Sequence, residues 1–105
     1  MIKRGIDELV AERASGLRPY LEFCRSNALS VGVYVLAAGA VDLQLPHREE
    51  EVYVVLRGRG RFTAENETTD VAAGDVIYVP STATHRFHDI VDELALIVVF
   101  APPES

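Results

Sequence analysis

After Gly16 the sequence falls into short runs of Val, Tyr, Leu, Ile and Phe, separated by Gly, Pro, Asn and Asp. β-Branched and aromatic residues suit a pleated, half-buried surface, and the punctuating residues supply turns. The pattern predicts strands at 19–24, 29–37, 41–46, 51–57, 61–65, 68–72, 76–79, 85–89 and 93–101. Short strands this closely spaced predict an all-β sandwich or barrel.

Several of these runs are apolar on both faces. In "VYVVL", Tyr53 and Val55 face one side while Val52, Val54 and Leu56 face the other, and "LALIVVF" behaves likewise. A strand buried on one side only would alternate cleanly. Part of the outer sheet surface is therefore expected to be covered, by a second layer or by a partner subunit, and a homodimer is the expectation. Ahead of the strands, Ile6, Leu9 and Val10 recur at helical spacing, with Asp7 and Glu8 early, Arg13 late and Gly16 beyond. This predicts one short helix with charges matched to its dipole, covering an edge or mouth of the β-domain. The expected organisation is a helical segment, 1–16, packed on a single barrel domain, 17–105; a chain of 105 residues leaves little room for a second domain.

The net charge of −6 argues against nucleic acid as a partner, because that affinity rests on clustered Lys and Arg. "RGRGR", Arg57 to Arg61, lies between two predicted strands and reads as a glycine hairpin rather than an RNA-binding patch. Cys24 is the sole cysteine, which excludes an intrachain disulfide framework and an all-thiolate metal site and fits a reducing cytosol. It reads as a small buried hydrophobe on a strand. The N-terminus lacks the apolar core of a signal peptide, and no apolar run approaches the roughly 20 residues of a membrane span. A soluble cytoplasmic protein without membrane partners is expected.

Two segments carry the chemistry. In "PHREEEVYVVLRG", His47 precedes Glu51 by four positions; extended chain would separate them by about 13 Å, so shared ligation of one ion requires a bend at Arg48, Glu49 and Glu50. Glu49 and Glu50, within that connector, are expected in solvent. In "GDVIYVPSTATHRFHD" a strand ends at Pro80, a polar loop follows, and His85 opens the next strand with Phe87 on its side and His88 on the other. Tyr53 shares parity with Glu51, so Tyr53 and Phe87 are candidate pocket walls as well as plain core residues.

Together the two segments resemble the paired motifs of the cupin superfamily. The first family motif is glycine, five residues, His-x-His, three or four residues, glutamate, six residues, glycine. Here Gly39, His47, Glu51 and Gly58 match, and Leu45 stands where the first histidine is expected. The second motif is glycine, five residues, Pro-x-Gly, two residues, histidine, three residues, asparagine. Gly74, Pro80 and His85 match, Thr82 replaces the glycine, and Asp89 replaces the asparagine. The resemblance implies a small antiparallel β-barrel, the double-stranded β-helix or jelly roll, with a metal held by inward-facing side chains. The implied ligands are His47, Glu51 and His85, a set that suits Fe, Mn, Ni or Zn and leaves positions open. Gln44, as Leu45's neighbour, would join only if the strand bulged, and Leu45 itself would line the pocket.

Three function classes stay open. One is a metal-dependent enzyme of oxygenase, isomerase or decarboxylase type acting on a small molecule. The second is a non-catalytic barrel that binds or senses a small ligand, with zinc or with a site decayed to a polar pocket in which Glu51 hydrogen-bonds histidine. The third is a purely structural dimer. Fold alone does not choose among them.

Overall fold

The structure, a computed structural model, describes residues 1–16, 18–42, 46 and 48–105. The described elements are helix α1 (Ile6–Ala14) and strands β1 (Tyr20–Arg25), β2 (Ser30–Leu36), β3 (Glu50–Ala64), β4 (Glu67–Ala72), β5 (Val76–Val79) and β6 (His85–Ala101). Their antiparallel order is β1-β2-β6-β3-β4, with β5 also paired to β3. This is the mostly-β architecture with one short helix that the sequence predicts. Of the predicted strand at 41–46, residues 43–45 fall outside the described residues, and Val41, Asp42 and Pro46 are not in strands.

Predicted pairs of strands at 51–57 and 61–65, and at 85–89 and 93–101, are in fact two long strands. β3 pairs with β6 from Glu50↔Ala101 to Ala64↔His85, with register shifts between Val55 and Arg61. Bulges add a residue to one strand and bend it, so inward-facing positions change from Glu51, Tyr53 and Val55 to Gly60 and Phe62. "RGRGR" is therefore not a hairpin. Gly58 has φ 90°, and a Cβ there would lie 2.0 Å from the Glu93 carbonyl oxygen. The glycine is needed because a β3 side chain here would collide with the β6 backbone, not because the chain reverses. The reversal comes later, at Glu65, where φ is 52°.

Inside the sheet, Tyr34, Leu36, Tyr53, Val55, Phe62, Val71, Val79, Phe87, Leu94, Leu96, Val98 and Phe100 form one buried cluster. A second cluster lies on the outer face: Leu9 of α1 packs with Val33, Val35 and Ala95, flanked by Leu21, Phe23, Leu56 and Ile97. The helix covers the outside of the sheet rather than a barrel mouth, which accounts for part of the two-sided apolar pattern in β2 and β6. Leu9 supplies most of its anchorage, being 2% exposed. Cys24 is a half-buried residue of β1.

Candidate metal centre

Glu51 sits near the start of β3, between Val79 of β5 and Phe100 of β6. Tyr53 follows two positions on and faces the same way. His85 opens β6 opposite Ala64, at the far end of β3. The bend in β3 and β6 brings these distant ends together around one interior. The turn before His85 is tied down on two sides: Glu65 accepts from the Thr84 amide and donates its own amide to the Thr84 carbonyl, while Ser81 Oγ donates to the Arg48 carbonyl.

The pair that results is fully enclosed. His85 Nε2 lies 2.8 Å from Glu51 Oε2, with the two side chains 1% and 0% exposed. Nδ1 of His85 lies 2.8 Å from the Ala83 carbonyl oxygen. A carbonyl only accepts, so Nδ1 carries a proton and Nε2 is the nitrogen turned to the carboxylate. The Tyr53 hydroxyl is 3.2 Å from His85 Nε2 and 3.5 Å from Glu51 Oε1. Around them the rings of Phe62 and Phe87 close an aromatic wall, Tyr53 to Phe87 at 5.1 Å and Phe62 to His85 at 6.0 Å between ring centres.

Burial works to lower the His85 pKa, but the hydrogen bond to Glu51, the Ala83 carbonyl and the charges of Glu51 and Asp42 outweigh it and raise it above 6.5. The cause is plain in the geometry. With Nδ1 committed to Ala83, a neutral imidazole would aim its Nε2 lone pair at a carboxylate lone pair in a dry interior, and such an arrangement requires positive charge between them. A proton fills that need, and so does a metal cation. Two ligands about 2.1 Å from one ion and at right angles to each other are about 3.0 Å apart, close to the spacing observed. His85 and Glu51 therefore fit as neighbouring ligands, with Ala83 setting the tautomer as backbone carbonyls do for ligating histidines.

Among the other named candidates, Phe87 and Tyr53 line the same interior, both 0% exposed. His47, Leu45 and Gln44 lie outside the described residues. Among the described residues, no group of three His, Cys, Asp or Glu side chains converges as a metal site. His88 points the other way from His85, to Thr63 Oγ1 at 2.7 Å and Asp89 Oδ2 at 2.8 Å.

Two buried carboxylates escaped the sequence reading. Asp42 is 6% exposed; its Oδ1 accepts from the Tyr34 hydroxyl and its Oδ2 from the Phe87 amide, each at 2.9 Å. Glu49, expected in solvent, is 3% exposed, and its Oε1 accepts from the Ser105 amide at 2.9 Å and hydroxyl at 3.0 Å. Its burial follows from partners 56 residues away, which no local pattern reveals. Glu50 is exposed as expected and bonds to the Tyr78 hydroxyl on the outer face.

The motif positions also have a backbone meaning. Gly39, Gly58 and Gly74 have φ of 73°, 90° and 96°, and the two departures in the second motif, Thr82 and Asp89, have left-handed φ of 65° and 47°. At both positions the backbone takes a conformation that the motif's glycine and asparagine adopt more readily than threonine and aspartate do.

Comparison with known proteins agrees with this architecture. The profile of the Cupin domain family matches residues 32–101. An uncharacterized protein of Streptomyces coelicolor is 51% identical over 100 residues, covering 95% of each chain. Another of Methanocaldococcus jannaschii is 33% identical over 78 residues, covering 72% of this chain and 62% of its own. Among solved structures, an uncharacterized conserved protein with a double-stranded β-helix domain from Klebsiella pneumoniae superposes with a TM-score of 0.80 at 21% identity, covering 97% of this chain and 90% of that one. With the motif residues, the register and these likenesses in agreement, the chain belongs to the cupin family.

Proposed function

We propose that this cupin binds a divalent transition metal, Fe, Mn, Ni or Zn, through Glu51, His85 and His47, and uses it to act on a small molecule. The observation that carries the reading is the buried 2.8 Å approach of His85 Nε2 to Glu51 Oε2, with Nδ1 already committed to Ala83. His47 joins the set from its place in the first motif. When bound, the ion supplies a Lewis acid or oxygen-activating centre of the kind used in oxygenase, isomerase or decarboxylase chemistry, with an oxygenase the leading choice for two histidines and one carboxylate.

The protein's own part is positional. The Ala83 carbonyl holds the Nδ1 proton and fixes the ring plane of His85. Phe62 and Phe87 exclude water from that ring, which strengthens every electrostatic contact inside. Glu51 contributes the negative charge that draws a cation to an interior otherwise closed to ions.

One observation favours a second reading, a non-catalytic ligand-binding barrel: the apolar Leu45 stands in the sequence where the family motif has a ligand histidine. Elemental analysis of protein purified without chelator or affinity metal, repeated on Glu51→Ala and His85→Ala, separates the two. Near-stoichiometric metal in the wild type, lost from both variants, supports the metal reading. Wild type that holds none and takes up no Fe(II), Mn(II), Ni(II) or Zn(II) overturns it.

We also propose a cytoplasmic homodimer. The support is an apolar strip left uncovered by α1: Val76 and Tyr78 on β5 are 68% and 59% exposed, beside Val54 and Val52 of β3. Among the described residues no helix is long and apolar enough to cross a membrane. Light scattering across a tenfold dilution range tests the dimer, and a constant monomer mass rules it out.

A further inference from the structure

Leu45 leaves the first motif one donor short, and the described interior holds an oxygen atom that no motif position names. Tyr53 is 0% exposed and its hydroxyl completes a triangle with the Glu51–His85 pair. The edges are 2.8 Å from Nε2 to Oε2, 3.2 Å from Nε2 to the hydroxyl, and 3.5 Å from the hydroxyl to Oε1. Hydroxyl-to-carboxylate hydrogen bonds normally measure about 2.5–3.0 Å. The contact to Glu51 is long for a hydrogen bond and close to the separation of two donors about 2.1 Å from one ion at a tetrahedral angle, about 3.4 Å. The ring is held in place by Phe87 at 5.1 Å and Phe62 at 6.0 Å, so the hydroxyl stays aimed at the space between Nε2 and the carboxylate.

We propose that Tyr53 is a metal ligand, its oxygen joining Glu51 and His85 on the ion in place of the donor missing at Leu45. The inference rests on the metal-binding reading above. Coordination forms a bond from the metal to the phenolic oxygen and breaks the O–H bond, the proton leaving to solvent water; no electrons are transferred. A phenolate oxygen is a hard donor, so the site it completes favours ferric iron and manganese over the softer ions that a third imidazole would suit.

Two measurements on the full chain test this. Wild-type protein loaded with ferric ion from a weak chelate is expected to show a visible absorption band from phenolate-to-iron charge transfer, and Tyr53→Phe to lose it. Competition titrations with Zn(II) are expected to give Tyr53→Phe an affinity at least tenfold below wild type. Iron-loaded wild type without the band, or a variant that binds Zn(II) as tightly as wild type, overturns the assignment of Tyr53 and leaves the Glu51–His85 site standing. Wild type that binds neither ion overturns both. The spectrum of the wild type decides even where the variant folds poorly.

Discussion

The Asp42 carboxylate accepts the amide proton of Phe87 from a segment 45 residues away, and with its other oxygen accepts the Tyr34 hydroxyl. One buried side chain thus joins the segment before the first motif histidine to β2 and to the strand that carries His85. Removing it strands two buried donors, each worth about 1–3 kcal/mol when left unpaired. Asp42→Ala is expected to lower stability by about 3 kcal/mol in urea unfolding, and Asp42→Asn by less. A loss under about 1 kcal/mol for Asp42→Ala would show that these bonds are not limiting.

Glycines in the two motifs separate by mechanism. A Cβ at Gly58 would meet the Glu93 carbonyl oxygen at 2.0 Å, whereas at Gly39 and Gly74 it would meet nothing within 4 Å. Gly39→Ala and Gly74→Ala each place an L-residue in the left-handed region, at a cost of about 1–2 kcal/mol. Gly58→Ala adds displacement of β6 backbone and is expected to exceed them by about 2 kcal/mol or to prevent folding. Equal thermal shifts for all three would contradict the close approach.

Thr82 offers the opposite change. It is a β-branched residue at φ 65°, where the family motif places glycine. Thr82→Gly is expected to stabilise the protein by about 1 kcal/mol, raising Tm by about 4–8 °C for a domain of this size. A lower Tm would mean that the Thr82 side chain makes up for its backbone strain.

Stability should also depend on pH through His85. The folded, metal-free chain holds a proton on this imidazole more firmly than an unfolded histidine does near 6.5. The resulting stabilisation is complete below pH 6.5 and is lost as pH rises through the higher folded value. Chelator-treated protein should therefore show urea midpoints that fall as pH rises above 6.5, and Glu51→Gln should flatten the trend. A wild-type profile that stays flat, or that climbs, through this range would argue against the ion pair.

The strand-bearing segments were legible from their period of two, though not the merging of four of them into β3 and β6, and Glu51 and His85 were singled out together by the resemblance carried on the intervals from Gly39 to Gly58 and from Gly74 to His85. Parity along β3 also placed Tyr53 on the side of Glu51. It did not place its hydroxyl, which depends on how Phe62 and Phe87, from beyond the bulges, set the ring. Glu49 was misread because a run of three glutamates looks solvated until Ser105 arrives to bond it. "RGRGR" was misread because glycine signals both chain reversal and close backbone approach, and only the pairing of β3 with β6 tells them apart.

The two long strands have a consequence for how such a chain varies. Glu51, Tyr53 and Phe62 ride on β3, and His85 and Phe87 on β6, so two continuous ribbons supply the Glu51–His85 pair and its aromatic wall. The turn at Gly74 between β4 and β5 adds no side chain to that group, but its backbone is tied to β3, the Gly74 amide donating to the Val55 carbonyl and the Val55 amide to the Asp75 carbonyl. A loop or module grafted at that turn can give the barrel a new neighbour only if both bonds are kept, because losing them frees β3 two residues from Tyr53.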